Sequence, residues 1–352
     1  MRYPYGLCAD LHAHAWSAFS SVDENGTNTR LLHIIDELDR LCTLVRRAGG
    51  NIVVFAGDLF HERGKIVPSV FNPLHVCIQR WIDRGIDFRG IPGNHDCEGK
   101  EVSFLTSAAA MMQGEVGFHL IHKEFAHDDM CMYVPWKSSP AAYLSVIADA
   151  ADSVSETRRS ALDLIIHAGI DGTLSDMPPH GITAEALAKF GFRRVFSGHY
   201  HHHKDFGNGV FSIGATTHQT WSDVGTQAGF MMVYADREEF HASYAPQFID
   251  ITGDEDPAEL GLKIEGHYVR AKIGTASATV VGDMRALLMR EGALGVQIMA
   301  VPNGKTVTRA GVAPKSLSSV EQSVLSYVDE QKLSERVRDI CSEIMTEVKE
   351  VA

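Results

Sequence analysis

The chain of 352 residues carries 45 acidic and 32 basic side chains, and its net charge of −13 repels nucleic acid and anionic membranes taken as a whole. Hydrophobic residues at 45% and charged residues at 22% describe a globular protein with a sizeable core, which excludes disordered and fibrous classes. No apolar run reaches the roughly 18 residues that span a bilayer, the N-terminal stretch lacks signal-peptide order, and the six cysteines form no CxxC pair; a cytoplasmic location without membrane contact, disulfide framework or structural zinc is expected.

In chain order, YGLCADLHAH begins with strand character and ends in polar residues. Residues 28–50, NTRLLHIIDELDRLCTLVRRAGG, place apolar side chains at helical spacing and stop at Gly49 and Gly50. NIVVFAGDLFHERG again runs from strand to loop, PSVFNPLHVCIQRWIDRG reads as a second helix, and DFRGIPGNHD, LDLIIHAGIDG and RRVFSGHYHHH repeat the strand-to-loop pattern. Alternating strands and helices predict α/β layering. From GNGVFSIGATTHQTW through EEFHASYAPQFIDI the pattern turns to hairpin-like strands, and TGDEDPAELG at 252–261 reads as a linker or turn. HYVRAKIG, VVGDMRALLMREGA and LGVQIMAVP then read strand, helix, strand. From APKSLSSVEQS onward the chain turns helical, with Ser318 or Ser319 as the N-cap.

The ends of the predicted strands carry the chemistry. Asp10 and His12, Asp58, Asn94 and His95, His167, and His199 and His201 are oxygen or imidazole donors with no thiolate among them. Such donors suit a catalytic site of manganese, iron, magnesium or zinc rather than a structural zinc. Five loops at strand C-termini would meet at one sheet edge, where α/β proteins place their sites. The donors exceed one coordination sphere, and two ions about 3.5–4 Å apart would accommodate them. Within GHYHH, an extended backbone would put His199 and His201 on one face and His202 on the other.

The blocks DLH, GDLFH, GNHD, HAG and GHYH, in this order, resemble the signature of the calcineurin-like metallophosphoesterases. GDLFHERG and the strand-helix-strand unit after residue 260 are similar to one branch, the SbcD-type nuclease of double-strand-break repair. The resemblance implies an α/β (α+β) fold, a four-layer β-sandwich flanked by helices, with a catalytic domain at 1–250. A small α/β capping domain at 251–310 and a C-terminal helical segment at 311–352 would follow. It implies one metal on Asp10, His12 and His201, a second on Asn94, His167 and His199, and Asp58 bridging them. His95 would bind the phosphate or protonate the leaving group, and His61 would handle the DNA phosphate or support the metal ligands. Manganese is the first choice of metal. The implied activity is exonuclease and endonuclease cleavage of DNA in repair or recombination, with an SbcC-like coiled-coil ATPase as partner and a homodimer as a further option.

There are departures from the pattern. DLHAHAW puts His14 and Trp16 where that branch has an aliphatic residue and a glycine, and Trp16 is read either as a core aromatic or as a base-stacking residue. His202 and His203 are additions without a derived role. A second functional reading keeps the metals but replaces DNA by a nucleotide or cyclic nucleotide, with the unit after residue 260 as a lid. The charge of −13 speaks against DNA binding by this chain alone.

Overall fold

A computed structural model of the chain describes residues 3–100, 108–112, 116–174, 177–252, 255–274 and 277–300, with a few positions between 334 and 341. The elements run β1 (Tyr5–Cys8), α1 (Thr29–Arg47), β2 (Ile52–Ala56), α2 (Pro68–Asp83), β3 (Asp87–Ile91), β4 (Phe118–Leu120), β5 (Ala126–His127) and β6 (Cys131–Val134). Then come α3 (Pro140–Asp152), α4 (Glu156–Arg159), β7 (Asp163–His167), α5 (Ala184–Ala188), β8 (Arg194–Gly198), β9 (Lys204–Asp205), β10 (Val210–Ser212), β11 (Gly229–Val233) and β12 (Glu238–Ala242). The last group is β13 (Phe248–Ile251), α6 (Pro257–Ile264), β14 (Tyr268–Ile273), α7 (Ala278–Arg290) and β15 (Gly295–Ala300).

Two six-stranded sheets, ordered β12-β11-β1-β2-β3-β4 and β5-β6-β7-β8-β10-β9, pack face to face. The side-chain period of two sorts each strand between layers. From β2, Ile52, Val54 and Ala56 enter the core between the sheets, with Ile165 of β7 and Phe196 of β8, while Val53 and Phe55 meet the helices outside. α1 and α2 cover the first sheet through Leu31, Ile34, Leu38, Leu74 and Ile78. α3 and α5 cover the second through Tyr143, Ile147 and Leu187. The layers are therefore helix, sheet, sheet, helix, the expected α/β sandwich.

α1 follows its expected bounds closely. Asn28 caps it by accepting from the amides of Arg30 and Leu31, and the chain leaves through Gly49 at φ 83°. The stretch read as a linker at 252–261 instead contains the start of α6, where Pro257 opens the helix and Leu260 and Ile264, four residues apart, are buried. β13 does not extend the hairpins before it; it pairs in parallel with β14, which pairs in parallel with β15. That three-stranded sheet has its own core of Ile251, Leu260, Ile264, Val269, Ala271, Leu288 and Val296. The helices expected at 311–352 and the end of the capping domain at 301–310 lie outside the described residues, apart from a few scattered positions. No helix among the described residues is long and apolar enough to cross a membrane.

At the N-terminal end of β7 a buried ion cluster ties the two sheets together. Asp163 is fully buried and accepts from Tyr5 Oη of β1 at 2.8 Å, Arg193 Nε at 2.9 Å and Arg194 Nε at 3.0 Å. Arg194 also reaches Glu238 Oε2 of β12 at 3.1 Å. Removing one partner from a buried ion pair strands the other charge. Asp163→Ala is expected to cost about 3–5 kcal/mol of stability, read as a lower urea midpoint at unchanged slope; an unchanged midpoint would refute a clamping role for this carboxylate.

Candidate metal centre

Five parallel strands deliver the site. Asp10 follows β1, Asp58 follows β2, Asn94 and His95 follow β3, His167 ends β7, and His199 and His201 follow β8. All leave at strand C-termini on one edge of the sandwich. Backbone bonds then zip the loops: Asp10 N–H donates to Gly57 O at 3.0 Å and His12 N–H to Asp58 O at 3.0 Å. Asp96, in the GNHD block, accepts from Phe60 N at 3.0 Å and Gly93 N at 2.9 Å, which joins the second loop to the third. Burial first, and then the nearby Asp58, push the Asp96 carboxyl up to about 7. His199 N–H donates to Asp10 Oδ2 at 2.9 Å across the two sheets.

Packing the loops this tightly demands unusual backbone. Asp10, His12, Asp58 and His199 all have positive φ, at 50°, 45°, 55° and 96°. Non-glycine residues rarely adopt this region, and such strain concentrates at functional sites. Two glycines are required by close approach. A Cβ on Gly57, itself at φ 95°, would lie 2.2 Å from His167 Nδ1, and one on Gly93 would lie 2.2 Å from Asp58 Oδ1. His167 fills the space they leave, with Nδ1 at 2.7 Å from Ala56 O and Nε2 turned into the site.

All seven residues expected to hold metal are brought together. Donor atoms of Asp10, His12 and His201 lie within 4.8 Å of one another, as do those of Asp10, Asp58 and His167. Asn94 Oδ1 stands 3.2 Å from His167 Nε2 and 2.9 Å from His199 Nδ1. Asp58 Oδ2 lies between the two sets, 3.5 Å from His12 Nε2 and 3.3 Å from His167 Nε2. Burial alone would lower the His167 pKa, but Asp58 and then Asp10 outweigh it and hold the imidazole up at about 9. Burial pushes Asp10 up to about 6 against the pull of His167. Asp10 Oδ1 is buried and accepts no hydrogen bond. Two buried carboxylates, a carboxamide oxygen and a ring of imidazoles form a donor set that fits two divalent cations.

The face alternation expected of GHYHH is not what separates its histidines. Residues 199–202 run as successive bends, starting from the positive φ of His199. His199 turns toward Asn94 and His167, whereas His201 turns toward Asp10 and His12. His203 stacks on Phe240 at 3.8 Å between ring centroids, and His202 is half-buried and outside the clusters of potential donors. The two histidines expected to be catalytic lie beside the His12 set. His61 and His95 stack at 5.2 Å, and donor atoms of both lie within 4.8 Å of each other and of His12. His95 Nδ1 is 2.7 Å from His61 O, so Nδ1 carries a hydrogen and Nε2 is the ring's other titratable nitrogen.

Two residues of the site carry no motif. Asp223 is buried and sits 3.0 Å from His201 Nδ1. Burial works to raise its pKa, but His201 and the amides of Thr220 and Gln219 outweigh it and keep it an anion below the usual carboxylate range. It thereby orients His201, leaving Nε2 for a cation. Trp136 lies tilted against His199 at 5.0 Å, and its Nε1 donates to Lys100 O at 3.1 Å. Asp223 closes a single 3₁₀ turn, Trp221–Asp223, as the acidic member of a capping box with Thr220, so the pattern it carries in the sequence is that of a helix cap and not of a metal site. Such outer partners typically contribute 10–100-fold in metal affinity. Asp223→Asn should weaken binding of one Mn2+ about tenfold or more in a calorimetric titration; two unchanged affinities would remove Asp223 from the centre.

Residues 3–203, more than half of the chain, match the calcineurin-like phosphoesterase family model. The chain belongs to the calcineurin-like phosphoesterase family and is a metal-dependent phosphoester hydrolase by descent. No curated protein matches the sequence. Among solved structures, a dimetal phosphatase from Danio rerio aligns at a TM-score of 0.39 and 11% identity over 69% of this chain and 99% of that one. The nuclease MPE of Pseudomonas putida aligns at a TM-score of 0.29 and 13% identity over 67% of this chain and 87% of that one. Likeness at this level carries no substrate from either protein to this one.

Proposed function

We propose that this chain is a dinuclear phosphodiesterase of the SbcD type that cleaves DNA during end processing, repair or recombination. The observation that carries this reading is the stacked His61–His95 pair, set against the His12 side of the bridging Asp58. The alkoxide that departs from a phosphate ester gains from a proton donor placed beside it, and His61, next to that donor, stands in the GDLFHERG block that resembles the SbcD-type branch.

In this reading two divalent cations, manganese by preference, would supply Lewis-acid charge to the phosphoryl oxygens and an activated water. Asp10, His12 and His201 would hold one, and Asn94, His167 and His199 would hold the other. Asp58 would serve both, and its second oxygen is locked by His95 N–H at 2.7 Å. His95, protonated at both ring nitrogens, presents Nε2–H to the leaving oxygen and donates that proton, returning to the form with Nδ1–H held by His61 O, while His61 packs against its ring and excludes water from that side. The unit built on β13–β15 serves as the capping domain of residues 251–310, and 311–352 as the docking segment for an SbcC-like coiled-coil ATPase. That partner would offer the basic surface that a charge of −13 withholds.

The alternative is a phosphoesterase acting on nucleotides or cyclic nucleotides, and the same acidic surface favours it. End-labelled linear duplex, closed circular duplex, single-stranded circle and a nucleotide panel, each incubated with Mn2+, separate the two. Label lost from linear ends supports the nuclease, whereas nucleotide hydrolysis beside intact DNA replaces it. His95→Ala is expected to keep both metals and lose about 10²–10⁴-fold in turnover, the usual range for a proton donor. Asp58→Ala is expected to lose metal and activity together. Full turnover by His95→Ala would end the role given to that residue.

A further inference from the structure

The motif residues leave one built feature unused. A cavity of about 260 Å³ opens beside the metal centre, lined by His14, Trp16, Phe60, Glu62, Lys65 and Val70 among others. It is smaller than the roughly 300–1,000 Å³ of sites for drug-sized ligands, so a single flat ring system suits it. Its floor is apolar, from the buried Phe60 and Val70, and its rim carries the Glu62–Lys65 ion pair at 3.2 Å.

Trp16 forms one wall, and its backbone is pinned. Its carbonyl accepts from Asn28 Nδ2 at 3.0 Å and Ser20 Oγ at 2.7 Å, so the residue that caps α1 also fixes this loop. The Arg30 guanidinium lies 5.2 Å from the Trp16 ring and is itself anchored on Gln219 O at 2.6 Å. His14 packs on Trp16 at 4.0 Å between centroids, with its Nδ1 given to His12 O at 2.7 Å. Nδ1 faces a carbonyl and must carry the hydrogen, so Nε2 is a lone-pair acceptor, and it is buried without a hydrogen-bond partner. Only His61 separates Trp16 from the metal-facing His12: Trp16 to His61 is 4.5 Å and His61 to His12 is 5.3 Å between centroids.

We propose that this cavity is a nucleobase subsite, which takes the base of the nucleotide whose phosphate lies at the cations. The inference rests on the phosphodiesterase reading and names what that site recognises. A phosphate at the His12–His61–His95 edge carries its base one sugar away, where the rigid indole and apolar floor receive it. Lys65 and Glu62 stand at the mouth for a neighbouring phosphate and a base amine. Because the contacts are to ring surface rather than to a base-specific pair of hydrogen bonds, selectivity among bases is weak, as in other aromatic platforms for single strands.

Three p-nitrophenyl phosphodiesters that share one leaving group test this: the adenosine 5′, phenyl and methyl esters. The wild-type protein is expected to favour the adenosine over the methyl ester in kcat/KM by roughly five- to 150-fold, the range for one base on one aromatic side chain. Taking the ratio cancels any general loss of activity in a variant. Trp16→Ala should reduce that ratio at least fivefold, mainly through KM, while Trp16→Phe keeps most of it. Ser69→Trp, an exposed position at the cavity, should reduce it by filling the space from the opposite wall. A ratio near one in the wild type, or one unchanged in Trp16→Ala and Ser69→Trp, overturns the subsite and leaves the phosphodiesterase standing. A phenyl ester favoured as strongly as the adenosine ester overturns the base assignment. No turnover of any of the three overturns the phosphodiesterase reading and the subsite with it.

Discussion

Everything at this site depends on one carboxylate in one strained turn. Asp58 leaves β2 at φ 55°, and one of its oxygens stands 3.5 Å from His12 Nε2 and 3.3 Å from His167 Nε2. Those histidines belong to different sheets, so Asp58 is the point where the halves of the sandwich meet chemically as well as sterically. Against the lowering effect of burial, its charge is the main cause that raises the His167 pKa to about 9. Gly57 and Gly93 exist in this form because any side chain would displace His167 or Asp58. The backbone strain at four donors is tolerable only because the surrounding strands are rigid and fully buried.

The fold places this strain where it can be held. At the N-terminal end of β7, Asp163 clamps β1, β7 and β8 through Tyr5, Arg193 and Arg194, and at the other end of the same strand His167 enters the site. The three-stranded sheet is tied to the first catalytic loop by aromatic packing. Phe19 stacks on Tyr268 at 5.5 Å and meets Phe248 at 6.3 Å, and a Cβ on Gly295 would lie 2.3 Å from the Phe19 ring. The loop that carries Asp10, His12, His14 and Trp16 is therefore braced at its far end by β13, β14 and β15. A displacement of that sheet would be felt first at Phe19.

Much of this was legible in the sequence because strand-to-loop passages announce themselves twice, through apolar runs and through the polar block that ends each. The seven candidate donors, His61 and His95 were singled out in that way, and so was the C-terminal end of α1, since Gly49 and Gly50 are strong stop signals. What escaped was whatever lacks a long period. Asp223 acts from a single 3₁₀ turn whose pattern is that of a cap, β4 to β6 are too short to pattern, and the charged composition of 252–261 concealed the start of α6. GHYHH was read as extended, but the left-handed His199 bends the chain, so that His199 turns to Asn94 and His201 to Asp10 and His12. Trp16 could be seen only as an aromatic of undecided role, because its neighbours His61 and Arg30 come from other segments.

A pair of cations bridged by Asp58 is the heart of the proposed site, and Mn2+ reports such a pair directly by electron paramagnetic resonance. Titrating the metal-free chain with Mn2+ should give two ions per chain with an exchange-coupled spectrum, and the coupling should vanish in Asp58→Asn. Isolated, uncoupled Mn2+ signals at every loading of the wild-type protein would contradict a bridged dinuclear centre.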